Sequence, residues 1–169
     1  MAVRWSTLRK TVFLDRDGLI NVKPSEHDYV KCWSEFYFLP GVPQAIKRLN
    51  ENGYLVVIVT NQRGVARGIM TLDEVKNIHA EMCAFLRKCG SKIDAIYICP
   101  HEDGTCTCRK PQTGMLLKAE KDFEIDKEKS WMIGDSDSDM ECAKRYGIAA
   151  IKSTSLAEAV EMILGEETK

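Results

Sequence analysis

Five short apolar runs, at 11–15, 54–60, 93–99, 130–134 and 148–152, alternate along the chain with segments of helical spacing. A strand that reaches its neighbour through a helix pairs with it in parallel. The alternation therefore restricts the chain to an α/β layer fold with a mainly parallel five-stranded sheet. Val42, Ala45, Ile46 and Leu49 recur at helical spacing, and Asn52-Gly53 supplies a stop before the second run. Thr71-Leu72-Asp73-Glu74 has the pattern of a capping box. It opens a helix carrying Leu72, Val75, Ile78, Met82, Phe85, Leu86 and Cys89, which Gly90 ends. Further helices are expected over 114–123, over 138–146 with Gly147 as stop, and over 156–164 after Ser155-x-x-Glu158. Segment 23–40, with Pro24 and weak periodicity, is expected to be a loop or small flap.

The 169 residues, 44% hydrophobic and 29% charged, suit one domain over 1–169 with a full core. Lys and Arg number 24 against 25 acidic residues, so there is no broad basic field for nucleic acid and no acidic tail. The first ten residues include three basic ones but no apolar core of signal-peptide length, and no later run approaches a membrane span. A cytoplasmic protein without membrane partners is expected. With no heptad or large apolar stripe, a monomer is the expected state.

In such sheets functional groups gather beyond the carboxyl ends of the strands. The first run delivers Asp15 and Asp17 into a glycine turn. Alternation puts positions i and i+2 on one face, so both carboxylates can aim at one metal and one substrate; an acidic turn is the alternative. The second run ends at Thr60-Asn61-Gln62, whose hydroxyl and amides suit phosphate oxygens, or simply form a polar strand terminus. The third leads to Arg109-Lys110-Pro111, where a fixed Lys suits a phosphate as a point charge. The fourth ends at Gly134-Asp135, and Asp135 can complete an oxygen cage for Mg²⁺. Taken singly each has a bland explanation. Four such ends on four successive strands make coincidence a poor one.

Seven cysteines occur, and three of them, Cys99, Cys106 and Cys108, crowd beside His101. Without a secretion signal, this points to metal or redox chemistry rather than disulfides. Three sulfurs and a nitrogen in a loop over 99–108 suit tetrahedral Zn²⁺, with all four positions filled by protein. The loop runs directly into Arg109 and Lys110, so a zinc clip would hold both cations in place.

In this order the motifs resemble the haloacid dehalogenase-like phosphatases: Asp15-x-Asp17, Thr60, Lys110 and Gly134-Asp135-x-x-x-Asp139. The resemblance implies a Rossmann-like three-layer α/β/α fold with strand order 3-2-1-4-5. It implies Mg²⁺ on Asp15, the Asp17 backbone carbonyl and Asp135. Asp15 would be the nucleophile, forming an aspartyl phosphate, and Asp17 the acid and then base. Asp139 would support the site from behind, or be a surface carboxylate in a helix's first turn. The zinc loop narrows the resemblance to the group without a cap domain that acts on heptose 1,7-bisphosphate or histidinol phosphate. Segments 60–68 and 108–117 look like the heptose side, which implies a phosphorylated sugar as substrate and loss of its C7 phosphate. Arg67 and Arg109 would engage its second phosphate or hydroxyls, or lie on the surface. Two departures exist: only four residues separate His101 from Cys106, as in the histidinol group, and Ser136 replaces a usual Lys or Arg. Histidinol-phosphate hydrolysis is therefore the alternative activity, and a zinc-stabilised binding module without catalysis the alternative class.

Overall fold

A computed structural model of the chain describes residues 8–167. Residues 1–7, most of the amino-terminal stretch considered above, lie outside the described residues.

The strands are β1 (Thr11–Leu14), β2 (Leu55–Asn61), β3 (Ala95–Cys99), β4 (Trp131–Gly134) and β5 (Ala149–Lys152). They form one parallel sheet in the order β3-β2-β1-β4-β5, as expected. Helices α1 (Val42–Glu51), α2 (Leu72–Lys88), α3 (Gly114–Asp122) and α4 (Asp137–Tyr146) fill the four connections, and α5 (Leu156–Glu167) follows β5. β1 starts with its apolar run at Thr11, and the other four strands start one or two residues later than theirs, because pairing with a neighbour, not hydropathy, decides where a strand begins. Helix α5 runs past Leu164 to Glu167.

Every residue of β1 is buried, since the central strand of a parallel sheet is covered on both faces. Val12, Leu14, Val56, Ile58 and Ile133 point to one side, against Ile46 and Leu49 of α1, Ile78 and Met82 of α2, and Val160 and Ile163 of α5. Phe13, Val57, Val59 and Met132 point to the other, against Leu116 of α3 and Ala143 and Tyr146 of α4. The period of two thus splits the core into two layers that hold the sheet from both sides.

Helix α2 opens as expected: Thr71 Oγ1 accepts from the Glu74 N–H at 3.1 Å, and Glu74 accepts from the Thr71 N–H at 2.6 Å. Segment 23–40 contains one 3-10 turn, Trp33–Glu35. Its aromatic residues pin it to the body: Trp33 stacks on Phe36 at 5.1 Å, and Phe38 stacks on Phe85 of α2 at 4.8 Å.

Candidate active site

Register places the strand ends side by side. Leu14 pairs with Ile133, and the Asp15 N–H donates to the Ile133 carbonyl at 3.0 Å, so Asp15 emerges beside Gly134. Asn61 pairs with Cys99, which puts the end of β2 against the root of the cysteine loop.

Lys110 lies at the centre. It is 4% exposed, and its Nζ stands 2.7 Å from Asp15 Oδ1 and 2.7 Å from Asp139 Oδ1. Burial alone would favour neutral Lys110. The two facing carboxylates overrule it and hold the ammonium charged to well above the ordinary lysine range. Asp15 is pushed up to about 6, chiefly by burial, with Lys110 opposing and Asp139 reinforcing the rise. Asp139 is fully buried, which excludes the surface carboxylate. Its Oδ2 accepts from the Ser136 N–H at 3.2 Å and from Ser136 Oγ at 2.7 Å, so it closes the start of α4 while its other oxygen holds Lys110. Ser136 brings no positive charge to the cleft. Lys23, from the flap, does: its Nζ is 2.5 Å from Asp135 Oδ2.

Asp17 faces the same cleft in a different environment. Burial raises its pKa, but the Arg16 charge and hydrogen bonds from Asn21, Arg16 and Gln62 outweigh burial and hold the carboxyl below the usual range. Gln62 Nε2 donates to Asp17 Oδ2 and to Thr60 Oγ1, both at 2.9 Å, linking the ends of the first two strands. Thr60 and Gln62 are both 1% exposed, so they act from beneath the cleft floor. Asn61 lines it.

Asp15, Asp135 and Asp139 offer carboxylate oxygens within 4.8 Å of one another. Asp135 Oδ1 is buried without a hydrogen-bond partner, as an oxygen reserved for a cation would be. Gly18 makes room for it: at φ +90°, a Cβ there would stand 2.5 Å from Asp135 Oδ2. The donor set is all oxygen, which suits a hard divalent ion.

Cys99, His101, Cys106 and Cys108 likewise place their ligand atoms within 4.8 Å of one another. Their sulfurs lie 3.1 to 3.6 Å apart, and His101 Nδ1 is 3.2 Å from Cys108 Sγ. Zn–S bonds of about 2.3 Å give a tetrahedron with edges of about 3.8 Å, so the cluster has nearly the dimensions a metal requires. Although burial opposes it, the Arg109 and Cys108 N–H groups draw the Cys106 thiol down to about 7, toward the thiolate that binds metal.

The loop also gathers arginines. Arg63 pairs with Glu102 and Asp103, at 3.3 and 2.9 Å, and Arg109 pairs with Asp103. Arg109 and Arg63 line a cleft of about 470 Å³ that also contains Asp15, Asp17, Lys110 and Asp135. Arg67 does not line it. Its Nε is 3.0 Å from Glu102 Oε2, so in this structure it braces the loop.

Four residues of the site escape a reading of strand ends: Arg16, Asn21, Lys23 and His79. Asn21 Nδ2 reaches Asp17 Oδ1 at 2.9 Å, and His79 sits behind Arg16. The available signal was an arginine at an apolar strand end, between two acids.

A carboxylate facing a buried lysine, a second carboxylate beside it and an acidic cluster at successive ends of a parallel sheet have the arrangement of a haloacid dehalogenase-like phosphatase. The chain belongs to the polynucleotide kinase 3 phosphatase family, whose model matches residues 10–161. It is 42% identical over 152 residues to a Rhodopseudomonas palustris protein, covering 85% of this chain and 83% of that one. It is 39% identical over 169 residues to one from Pasteurella multocida, covering 96% and 89%. Both are D-glycero-beta-D-manno-heptose-1,7-bisphosphate 7-phosphatases. The D,D-heptose 1,7-bisphosphate phosphatase of B. bronchiseptica, solved with magnesium and phosphate, superposes with a TM-score of 0.80 at 31% identity, over 93% of this chain and 99% of that one.

Proposed function

We propose that the protein is a Mg²⁺-dependent phosphatase that removes the C7 phosphate of D-glycero-D-manno-heptose 1,7-bisphosphate through an aspartyl phosphate on Asp15. The observation that carries this reading is Lys110 fixed at 2.7 Å from the Asp15 carboxylate, in a chain whose relatives act on that sugar. One domain spanning the chain, without a separate cap, performs the reaction in the cytoplasm.

Asp15 attacks phosphorus, and the bond from phosphorus to the C7 oxygen breaks as Asp17 gives that oxygen a proton. Water then attacks the phosphoryl group on Asp15 and passes its proton to Asp17. Inorganic phosphate leaves with both carboxyls restored. The environment of Asp17 favours the ionised form in the empty cleft. An anionic phosphate beside it opposes ionisation and moves the proton affinity back up for the first step. Lys110 offsets the repulsion between the Asp15 carboxylate and the incoming phosphate, and Thr60, tied to Asp17 through Gln62, fixes the angle of approach.

Asp15, Asp135 and the Asp17 backbone carbonyl would hold Mg²⁺, which supplies positive charge to the phosphate oxygens. Cys99, His101, Cys106 and Cys108 would hold Zn²⁺ with no open position, so its work is to shape the loop. Arg109, at the cleft wall, would engage the second phosphate. Arg67 would have to leave Glu102 to join it.

A phosphate-release panel with heptose 1,7-bisphosphate and histidinol phosphate tests the substrate: the heptose is expected to turn over faster, and the reverse order would overturn that choice. Asp15→Asn is expected to abolish turnover while folding and zinc content stay intact. Hydrolysis by that variant would remove the covalent route.

A further inference from the structure

Arg16 is fully buried, the largest such side chain among the described residues. Burying a guanidinium costs several kcal/mol unless partners compensate for its lost water. Its partners are few and specific. Nη2 donates to Asp17 Oδ1 at 2.9 Å and to Oδ2 at 3.1 Å, and Nε donates to Oδ1 at 3.2 Å. Nη1 lies 3.1 Å from Nε2 of His79, on α2.

An arginine has no acceptor, so Nη1 is the donor and Nε2 the acceptor. His79 is therefore neutral and carries its proton on Nδ1. The surroundings agree: burial first, then the Arg16 charge, depress His79 to about 3. The Nδ1 so protonated is buried without a partner. A core histidine kept for stability would satisfy both nitrogens. Here one is left unmade while the other meets the fork that grips Asp17.

Alternation along the strand end would send Arg16 away from the face shared by Asp15 and Asp17. The guanidinium comes back around to Asp17 because α2 offers an acceptor at that depth, and the Phe36 ring lies 6.0 Å from its carbon centre. We propose that Arg16 and His79 form a positioning relay, in which His79 holds the buried Arg16 fork and the fork fixes the rotamer of Asp17 for proton transfer to the leaving oxygen. The relay rests on the phosphatase reading for its chemical role, and on geometry alone for its existence.

The test compares His79→Phe, which keeps an aromatic ring but cannot accept, His79→Gln, whose amide oxygen can, and Arg16→Lys, which keeps the charge but not the fork. Two substrates are used with each variant: heptose 1,7-bisphosphate, whose alkoxide needs a proton to leave, and p-nitrophenyl phosphate, whose phenolate does not. General acid catalysis contributes about 10²- to 10⁴-fold, so loss of positioning should remove part of it. In His79→Phe, kcat/KM is expected to fall about tenfold on the alkyl ester and less than about twofold on the aryl ester. Arg16→Lys should fall further with the same asymmetry, and His79→Gln should recover most of the loss. Equal losses on both esters, or no recovery in His79→Gln, would overturn the relay. If His79→Phe does not fold, His79→Asn, whose amide is too short to reach Nη1, replaces it. If the wild type hydrolysed neither ester, the phosphatase reading would fail. Crystal structures of the same variants would then decide the relay by the Asp17 side chain, expected in place in His79→Gln and turned away in His79→Phe. An unmoved Asp17 in both would sink it.

Discussion

Asn61 and Lys110 hold each other through both halves of an amide: Asn61 Oδ1 accepts from the Lys110 N–H at 3.1 Å, and Asn61 Nδ2 donates to the Lys110 carbonyl at 3.2 Å. The end of β2 thus fixes the backbone of the residue that faces Asp15. Replacing Asn61 by Ala removes both bonds, each worth about 1 kcal/mol. We expect about 1–3 kcal/mol of lost stability in urea unfolding and about a tenfold fall in kcat/KM. An unchanged kcat/KM would show that Lys110 keeps its place without the clamp.

The raised pKa of Asp15 makes metal-free stability depend on pH. The folded carboxyl, at about 6, binds its proton more tightly than the unfolded one, at 3.8. Its contribution therefore falls as pH rises from 3.8 to 6 and is level above that. With EDTA present, Asp15→Asn should gain on the wild type across this window by on the order of 3 kcal/mol. Asp17 has the opposite sign: its depressed pKa stabilises above the unfolded value, and that support is lost as acid protonates it. Denaturant melts of both proteins from pH 3.5 to 8 check the difference, and parallel curves would refute the buried, proton-seeking state of Asp15.

Cys106→Ser removes one corner of the four-ligand cluster. Bound zinc, measured by elemental analysis, should fall well below one per chain. Glu102 and Asp103 would then lose their fixed positions, releasing Arg63, Arg67 and Arg109. Limited proteolysis should cut within 99–109 in the variant and not in the wild type. Full zinc content with normal kinetics would contradict the loop's assignment.

Gly18→Ala combines an unfavourable left-handed backbone with a Cβ 2.5 Å from Asp135 Oδ2. Asp135 must move. The expected outcome is a loss of about 1–3 kcal/mol in stability and magnesium binding weakened by about tenfold or more, read by calorimetry. Wild-type affinity for magnesium would exclude Asp135 from the cation cradle.

Asp15 and Asp135 were legible in the sequence because each stands where an apolar run stops and a polar residue begins, and Lys110 because the cysteine loop leads from the third run into Arg109-Lys110-Pro111. The sheet order is a different case. Spacing gave parallel strands, but the order came with the resemblance. Arg16 and His79 were hidden for a physical reason: their contact depends on how α2 packs over the sheet, across 63 positions of chain. Arg67 has the opposite lesson. Its sequence neighbourhood looks like substrate-binding chain, but the nearest carboxylate, Glu102, has claimed it.

The pairing of Asn61 with Cys99 has a bearing on how the protein can diversify. The cysteine loop leaves the sheet at Cys99 and returns at Lys110, and both points are anchored beside the same asparagine. Its two ends are therefore stapled to one rung. Residues added to or deleted from the arch between them change what overhangs the cleft while leaving the ammonium opposite Asp15 where it is. Under the proposed function, substrate choice and phosphoryl chemistry would be separable parts, because the arch is anchored at both ends independently of its length.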